Sequence, residues 1–337
     1  MKDFAHYNLL PHNTFGISAF ASRFVEYDSV EELRGFLKSA DPANKPILHI
    51  GSGSNLLFTG DFFGTVLHSA IRTIETIAED DDNVILRIGS GVIWDEFVSY
   101  TVDHNLYGAE NLSLIPGEVG ATAVQNIGAY GAEAKDIIET VETVDLATAE
   151  SRSFSNHECR YAYRDSIFKN ELRGKYAVTH VVYKLSKTPR FRLDYGNIRS
   201  ELQAKGLEVN QRNLRETITA IRKAKLPDPK ETGNAGSFFM NPVIPQEQFK
   251  RLAEKFPSIP HYPAGDGLVK LPAGWLIDQC GWKGQSLGKA GVHDKQALVL
   301  VNRGGASGQD IVLLAKAVAR SVDEKFGITI QPEVNII

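Results

Sequence analysis

Three side chains stand in settings that could carry chemistry. Ser237 lies in Gly233-Asn-Ala-Gly-Ser-Phe-Phe-Met-Asn-Pro242. Small residues before it and two aromatics after it are unusual for a core strand or a surface loop. Gly233 and Gly236 let the backbone approach a ligand or adopt positive φ, and Pro242 ends the stretch stiffly. The same residues also suit a plain structural turn. Arg164 lies in Tyr161-Ala-Tyr-Arg-Asp-Ser-Ile-Phe168, an aromatic setting where a guanidinium can clamp a carboxylate bidentately or simply pair with Asp165. Glu333 interrupts the aliphatic run 328–337, where alternation leaves it either facing solvent or placed at a site.

Two glycine-rich segments could hold a ligand for these groups. Gly51-Ser-Gly-Ser-Asn-Leu-Leu-Phe58 follows a short apolar strand at 45–50. It is not a Rossmann fingerprint. Leu56 stands where G-x-G-x-x-G needs its third glycine, and Thr59-Gly-Asp-Phe-Phe-Gly64 reads as a turn, not a helix. Successive amides there can still form an anion-binding nest, with Ser52, Ser54 and Asn55 adding donors. A tight turn is the plain alternative. The second segment runs from Ser113 to Gly131, where Gly117, Gly120, Ala121, Gly128, Ala129 and Gly131 leave little side-chain volume. Close helix–sheet packing explains that. So does a cofactor's pyrophosphate and ring laid along the backbone, with Gln125 and Asn126 hydrogen-bonding to it. Two such segments suggest one extended dinucleotide between two sub-domains.

The elements that must position these residues follow from periodicity. Strands are expected at 64–68, 83–88, 141–147, 175–185 and 296–302, and in the final segment, 328–337, interrupted by Pro332. Helices are expected at 92–105, 213–225, 245–256, 273–280 and 309–326, the last with Ser307 as N-cap and Gly327 as C-cap. The helix at 213–225 runs into Lys225-Leu-Pro-Asp-Pro229, whose prolines stop it. A cation beside that rigid turn suits a diphosphate, although a solvated surface lysine is the commoner case.

The 337 residues allow two or three domains, and with a net charge of -4 no basic block is long enough to suggest a nucleic-acid surface. Cys159 and Cys280 form no CxxC pair, and the histidines form no HExxH, so neither a disulfide framework nor a catalytic metal is expected. No secretory h-region and no membrane-length apolar run is visible, which points to a soluble cytoplasmic protein.

GSGSNLLF, IPG followed by QNIGAYG, YRDSIF, KLPDP, GNAGSFFMNP, AGWLIDQCGWKG and the closing PEV occur in one order along the chain. Together they resemble the UDP-N-acetylenolpyruvoylglucosamine reductase (MurB) family, and Arg192-Leu-Asp-Tyr-Gly-Asn197 looks like the extra substrate loop of its type I members. The resemblance implies an α+β chain: an FAD-binding fold of the vanillyl-alcohol oxidase type, in two sub-domains, plus a third, substrate-binding domain. The division expected is 1–70, completed by 328–337; 71–212; and 213–327. It implies FAD as cofactor and NADPH as co-substrate. The expected reaction reduces UDP-N-acetylglucosamine enolpyruvate to UDP-N-acetylmuramate, in peptidoglycan precursor synthesis. The expected partner is that small molecule alone, with no nucleic acid or membrane, and the protein is expected to be a monomer.

Site residues carry over from the same resemblance. Ser237 would donate a proton, and Arg164 and Glu333 would stabilise the developing enolate. Glu333 can help in that only when protonated or hydrogen-bonded. Cofactor contacts are implied for Gly51, Ser52, Gly53, Ser54, Asn55, Leu56, Pro116, Gly117, Gly120, Ala121, Gln125, Asn126, Gly128, Ala129 and Tyr130. Substrate or NADPH contacts are implied for Tyr195, Lys225, Asn241, Tyr262 and Gln296. Met240 stands where many members carry a basic residue. An oxidase on the same fold would have no enolate to protonate, so the Ser237 and Glu333 motifs argue against it.

Overall fold

Runs of β-branched and aromatic residues build two sheets in the first of two compact units, formed by Met1–Tyr7, Phe20–Ser52 and Phe62–Ala224. The structure is a computed structural model that describes residues 1–39 and 46–337. The smaller sheet has the order Lys2–Asn8, Phe20–Tyr27, Phe62–Ser69, Ile47–Ile50. Phe20–Tyr27 and Ile47–Ile50 both pair in parallel with Phe62–Ser69, which is nearly continuously buried, as a strand flanked on both sides in a parallel sheet should be. The helix Val30–Ser39 seals this sheet with Leu33 and Phe36 against Val25, Tyr27, Leu67 and Ile71. The strand expected at 45–50 is found at Ile47–Ile50; Lys45 lies outside the described residues.

The larger sheet is antiparallel, in the order Ser151–Ser155, Ile138–Asp145, Tyr176–Ser186, Asn83–Gly89, Ile74–Glu79. Helices Trp94–Asp103 and Val119–Gln125 add Trp94, Phe97, Val119 and Ala123 to a core shared with Leu86, Ile88, Val181 and Tyr183. The Trp94 indole donates to Leu112 O at 2.8 Å, so its polar edge is satisfied inside that core. A satellite core joins helices Ile198–Ala204 and Gln211–Lys225 through Leu202, Leu214 and Ile218, with Tyr130 packed against it.

The second unit gathers Asn8–Ala19, Gly53–Asp61 and Lys225–Ile337. Its main sheet is antiparallel, in the order Asn234–Ser237, Val299–Asn302, Ala290–Val292, Ser286–Leu287. Gly308–Phe326 supplies Ile311, Leu314, Val318 and Val322 to its core. That helix starts at a capping box: the Asp310 amide donates to Ser307 Oγ at 3.2 Å and the Ser307 amide to Asp310 Oδ2 at 2.8 Å. Gly327 closes it at φ 64. A small sheet joins Val243–Pro245, Leu268–Lys270 and Tyr262–Pro263, and Leu56–Leu57 pairs in parallel with Asn335–Ile336.

Three elements depart from expectation. The final segment is a strand only at Asn335–Ile336; Pro332, with no N–H to donate, makes only an isolated bridge to Phe239. The strand expected from 296 begins at Val299, because the Val299 amide turns back onto Gln296 O. The glycine segment contains the helix Val119–Gln125, whose small residues hide its periodicity. As for organisation, the border expected at 213 falls inside the helix Gln211–Lys225. No helix among the described residues is long and apolar enough to cross a membrane.

Candidate active site

Ser237 ends its strand on a bulge. Asn234 pairs with Val301 and Ser237 with Val299, so three steps on one strand face two on the other. Gly236, at φ 67, absorbs the extra residue. The buried Asn234 side chain braces it, donating to Thr232 O at 2.8 Å and accepting from the Gly236 amide at 2.9 Å. Beyond Ser237, Phe238 and Phe239 are buried against each other edge to face, with ring centroids 5.1 Å apart. The Phe238 amide donates to Leu298 O at 2.7 Å. The serine itself stays half-buried between a braced bulge and an aromatic anchor.

Glu333 is brought to this strand by backbone bonds. Its amide donates to Phe238 O at 2.8 Å, and the Met240 amide donates to Gln331 O at 2.9 Å. Asn55 holds the same segment from the other side, donating from Nδ2 to Glu333 O at 3.2 Å and accepting at its carbonyl from the Asn335 amide at 3.1 Å. Asn55 is therefore a brace for the Glu333 segment. Asn241 Oδ1 accepts from the Ala273 amide at 2.9 Å and fixes the start of the helix Ala273–Gln279. Gln296 Oε1 lies beside Gly274 and accepts from the Leu298 amide at 3.4 Å. Lys225 and Tyr262 are exposed.

In the first unit, Arg164 joins the second glycine segment. It adopts φ 56, a conformation that costs a non-glycine residue about 1 kcal/mol and tends to mark functional positions. Its guanidinium donates from Nη2 to Gly128 O and lies 5.3 Å from the Tyr163 ring centroid. Lys169 Nζ donates to Arg164 O at 2.8 Å and to Gln125 Oε1 at 2.9 Å, so Gln125 is engaged by a lysine. Asp165 accepts from Asn170 Nδ2 at 2.9 and 3.0 Å.

Asn126, expected to contact a cofactor, is fully buried at φ 49. Its Nδ2 donates to Ala162 O at 2.8 Å and Glu133 Oε2 at 3.1 Å, and its Oδ1 accepts from the Lys135 amide at 3.0 Å. Those bonds spend the side chain on shaping the loop. Gly120 is also buried; a Cβ there would sit 2.8 Å from Ser90 Cβ, so close helix–sheet packing explains that glycine. Pro116 and Ala121 remain exposed, and Gly51, Ser52, Gly117, Gly128, Ala129 and Tyr130 are half-buried. Accessible backbone and small side chains on two segments fit a diphosphate and a flat ring. Tyr195 stands edge-on to Tyr130, with ring centroids 6.3 Å apart.

One candidate escaped the sequence reading. Arg222 donates from Nε to Leu114 O at 3.2 Å, and burial, reinforced by the positive charge of Arg164, holds its pKa below the ordinary range. A cation in such a setting favours an anionic ligand. Its place one helical turn before Lys225 was the available signal.

Residues 21–154 match the FAD binding domain family, and residues 228–337 match the C-terminal domain family of UDP-N-acetylenolpyruvoylglucosamine reductase. The UDP-N-acetylenolpyruvoylglucosamine reductase of Bacteroides fragilis (strain YCH46) is 56% identical over 331 residues, covering 98% of this chain and 99% of that one. That of Porphyromonas gingivalis (strain ATCC 33277) is 48% identical over 98% of each chain. Among solved structures, the Thermus caldophilus reductase aligns at a TM-score of 0.68 with 22% identity, covering 99% of this chain and 98% of that one. p-Cresol methylhydroxylase aligns at 0.50 with 12% identity, covering 97% and 84%. These two likenesses establish the α+β fold, with an FAD-binding part of the vanillyl-alcohol oxidase type. The chain belongs to the UDP-N-acetylenolpyruvoylglucosamine reductase family of FAD-binding oxidoreductases.

Proposed function

We propose that this protein reduces the enolpyruvyl ether of UDP-N-acetylglucosamine to the lactyl ether of UDP-N-acetylmuramate, with NADPH as reductant. Bound FAD supplies the hydride chemistry, from NADPH to the terminal alkene carbon. The chain's own residues do the rest. The accessible backbone of the 51–56 and 116–130 segments takes the cofactor. Arg164 and Glu333 bind the substrate carboxylate and stabilise the enolate-like charge that develops next to it. Ser237 Oγ then gives its proton to the carbon beside that carboxylate. A hydroxyl is a weak acid in water, but the strongly basic carbon supplies the driving force. Tyr195, Lys225, Asn241, Tyr262 and Gln296 are proposed for the UDP-sugar phosphates or for NADPH, Lys225 as a cation for the diphosphate.

The observation that carries this reading is the Glu333 amide bonded to Phe238 O at 2.8 Å, which sets the carboxyl-bearing residue against the strand that carries Ser237. The test separates the two half-reactions. Ser237→Ala should leave reduction of the flavin by NADPH intact and slow its reoxidation by the enolpyruvyl substrate by about 10²–10⁴-fold. Equal loss in both half-reactions would make Ser237 a structural residue.

A further inference from the structure

The first unit holds a nearly dry chain of titratable groups that the reaction does not use. Glu26, His68 and Glu118 have side-chain exposures of 18%, 7% and 5%. His68 Nδ1 lies 3.0 Å from Glu26 Oε2, and Nε2 lies 3.2 Å from Glu118 Oε1. Both ring nitrogens therefore face carboxylate oxygens, an arrangement that only the doubly protonated imidazole satisfies with two donors. At the outer end, Lys2 Nζ meets Glu26 Oε1 at 2.6 Å.

The positions of these residues give the chain its interest. Glu26 and His68 are register partners on adjacent strands, and His68 is also the register partner of Ile50, the residue before Gly51. Glu118 follows Gly117 and precedes the helix Val119–Gln125. Its second oxygen, Oε2, lies 3.0 Å from where a Cβ on Gly51 would be, so the carboxylate rests on that glycine. One histidine thus ties together the openings of both glycine segments. A bare carboxylate against Gly51 would also repel an anionic diphosphate, and the His68 cation cancels that charge. The other neighbours favour keeping the proton on His68. Burial, with the His68 charge, lowers the pKa of His49 on the next strand, and His49 Nε2 is bonded to the Tyr27 hydroxyl at 2.7 Å. His68 itself is held above its ordinary range by Glu118 and Glu26, against the opposing effect of burial.

We propose that Glu26, His68 and Glu118 form a charge relay for the cofactor: the His68 cation lies between the two carboxylates and neutralises the Glu118 charge beside the FAD diphosphate. The proposal rests on the reading that these segments hold FAD. FAD affinity is then full while His68 is protonated and falls as pH rises through its folded pKa.

The test is FAD release from the diluted holoenzyme, followed by the fluorescence of free FAD between about pH 6 and pH 9. The wild-type dissociation constant should rise by about tenfold over that range. His68→Gln should bind FAD about tenfold more weakly at the acid end and lose the pH dependence. Glu118→Gln removes the repelling charge; it should keep the wild-type acid-end affinity and hold it at high pH. A purely structural role predicts the reverse, with Glu118→Gln weakened and the slope retained; that result, or a flat wild-type profile, overturns the relay. Glu118→Gln decides the question even if His68→Gln does not fold. Ser52→Asp checks the underlying reading separately: a carboxylate in the first segment should weaken FAD binding at every pH, and unchanged binding would remove the segment from the cofactor site and leave the relay without its object.

Discussion

Alanine at position 128 would place a methyl carbon 2.8 Å from Arg164 Nη1 and 3.0 Å from both Ala132 O and Glu133 Cγ. Ordinary contact begins at about 3.5 Å, so the guanidinium must retreat by about 0.7 Å. Gly128 lies outside the left-handed region, so backbone strain does not enter. Ala132 and Glu133 are on the facing strand of the Gly128–Ala129 hairpin and must give by about 0.5 Å, for a folding cost of about 1–2 kcal/mol. The effect on rate should be larger. Arg164 loses its aim and its bond to Gly128 O together, and a misplacement near 1 Å can cost about 10²-fold, so we expect a 10- to 10²-fold loss, roughly. The assay follows flavin absorbance in the two half-reactions of purified, FAD-loaded protein. Reduction by NADPH should hold, and reoxidation by the enolpyruvyl substrate should slow. If the folded variant reoxidises within about twofold of wild type, the position of Arg164 does not set the rate and the proximity reasoning fails. Equal loss in both halves would instead trace the damage to the cofactor that the 116–130 segment is proposed to hold.

Two further outcomes concern stability. Asn126→Ala removes three part-buried hydrogen bonds and puts alanine at φ 49, which should cost about 2–4 kcal/mol in urea unfolding; a loss below about 1 kcal/mol would mean that other groups take over its partners. Burial, and the Arg87 guanidinium donating to Nδ1 at 3.0 Å, hold the His180 pKa below 6.5. The unfolded imidazole therefore takes a proton that the folded one refuses, and stability is lost as pH falls below about 6.5, by at most about 1.4 kcal/mol per unit. His180→Gln should flatten that limb in urea titrations at several pH values, and an unchanged slope would assign it elsewhere.

Where local chemistry and tertiary structure agree, the chain was legible from its residues. The helix Gly308–Phe326 carries its own start, stop and apolar stripe in Ser307, Gly327 and the Ile311, Leu314, Val318 series. Val119–Gln125 carries none of these: Gly120, Ala121 and Ala123 give no apolar period, and the helix stops at Asn126 rather than at a glycine. The structural bonds of Asn126 were hidden because an exposed amide and a buried one read alike in a string of letters. What separates them is the set of partners at Ala162, Glu133 and Lys135, supplied by a hairpin and a distant turn. The Glu26, His68 and Glu118 chain was invisible for the same reason, since it depends on the register of parallel strands joined through long connections. The link between Ser237 and Glu333 likewise rests on backbone bonds between remote segments, and only the resemblance to a known family put the two together in advance.

The glycines around Ser237 change meaning once their neighbours are seen. Read locally, they allow close approach to a ligand, a positive φ or a plain turn. In the fold, Gly233 lies where a Cβ would come 3.3 Å from Asn302 Cβ, and Asn302 Nδ2 is itself bonded to Phe15 O at 3.0 Å. Gly236 provides the positive φ of a bulge, and the Asn234 amide and the Phe238–Phe239 pair fix the chain on either side of the serine. These glycines allow close approach and an unusual turn without loosening the strand. That distinction matters for the proton donor proposed above. A hydroxyl on a mobile loop would lose much of its effective concentration to conformational entropy, whereas one on a braced strand has met that cost during folding. The same rigidity extends to Glu333, whose backbone is bonded to Phe238 on one side and to Asn55 on the other. Backbone bonds on both sides of Glu333 hold its main chain at a fixed spacing from the strand that carries Ser237, so the two positions stay in register whatever the protonation of their side chains.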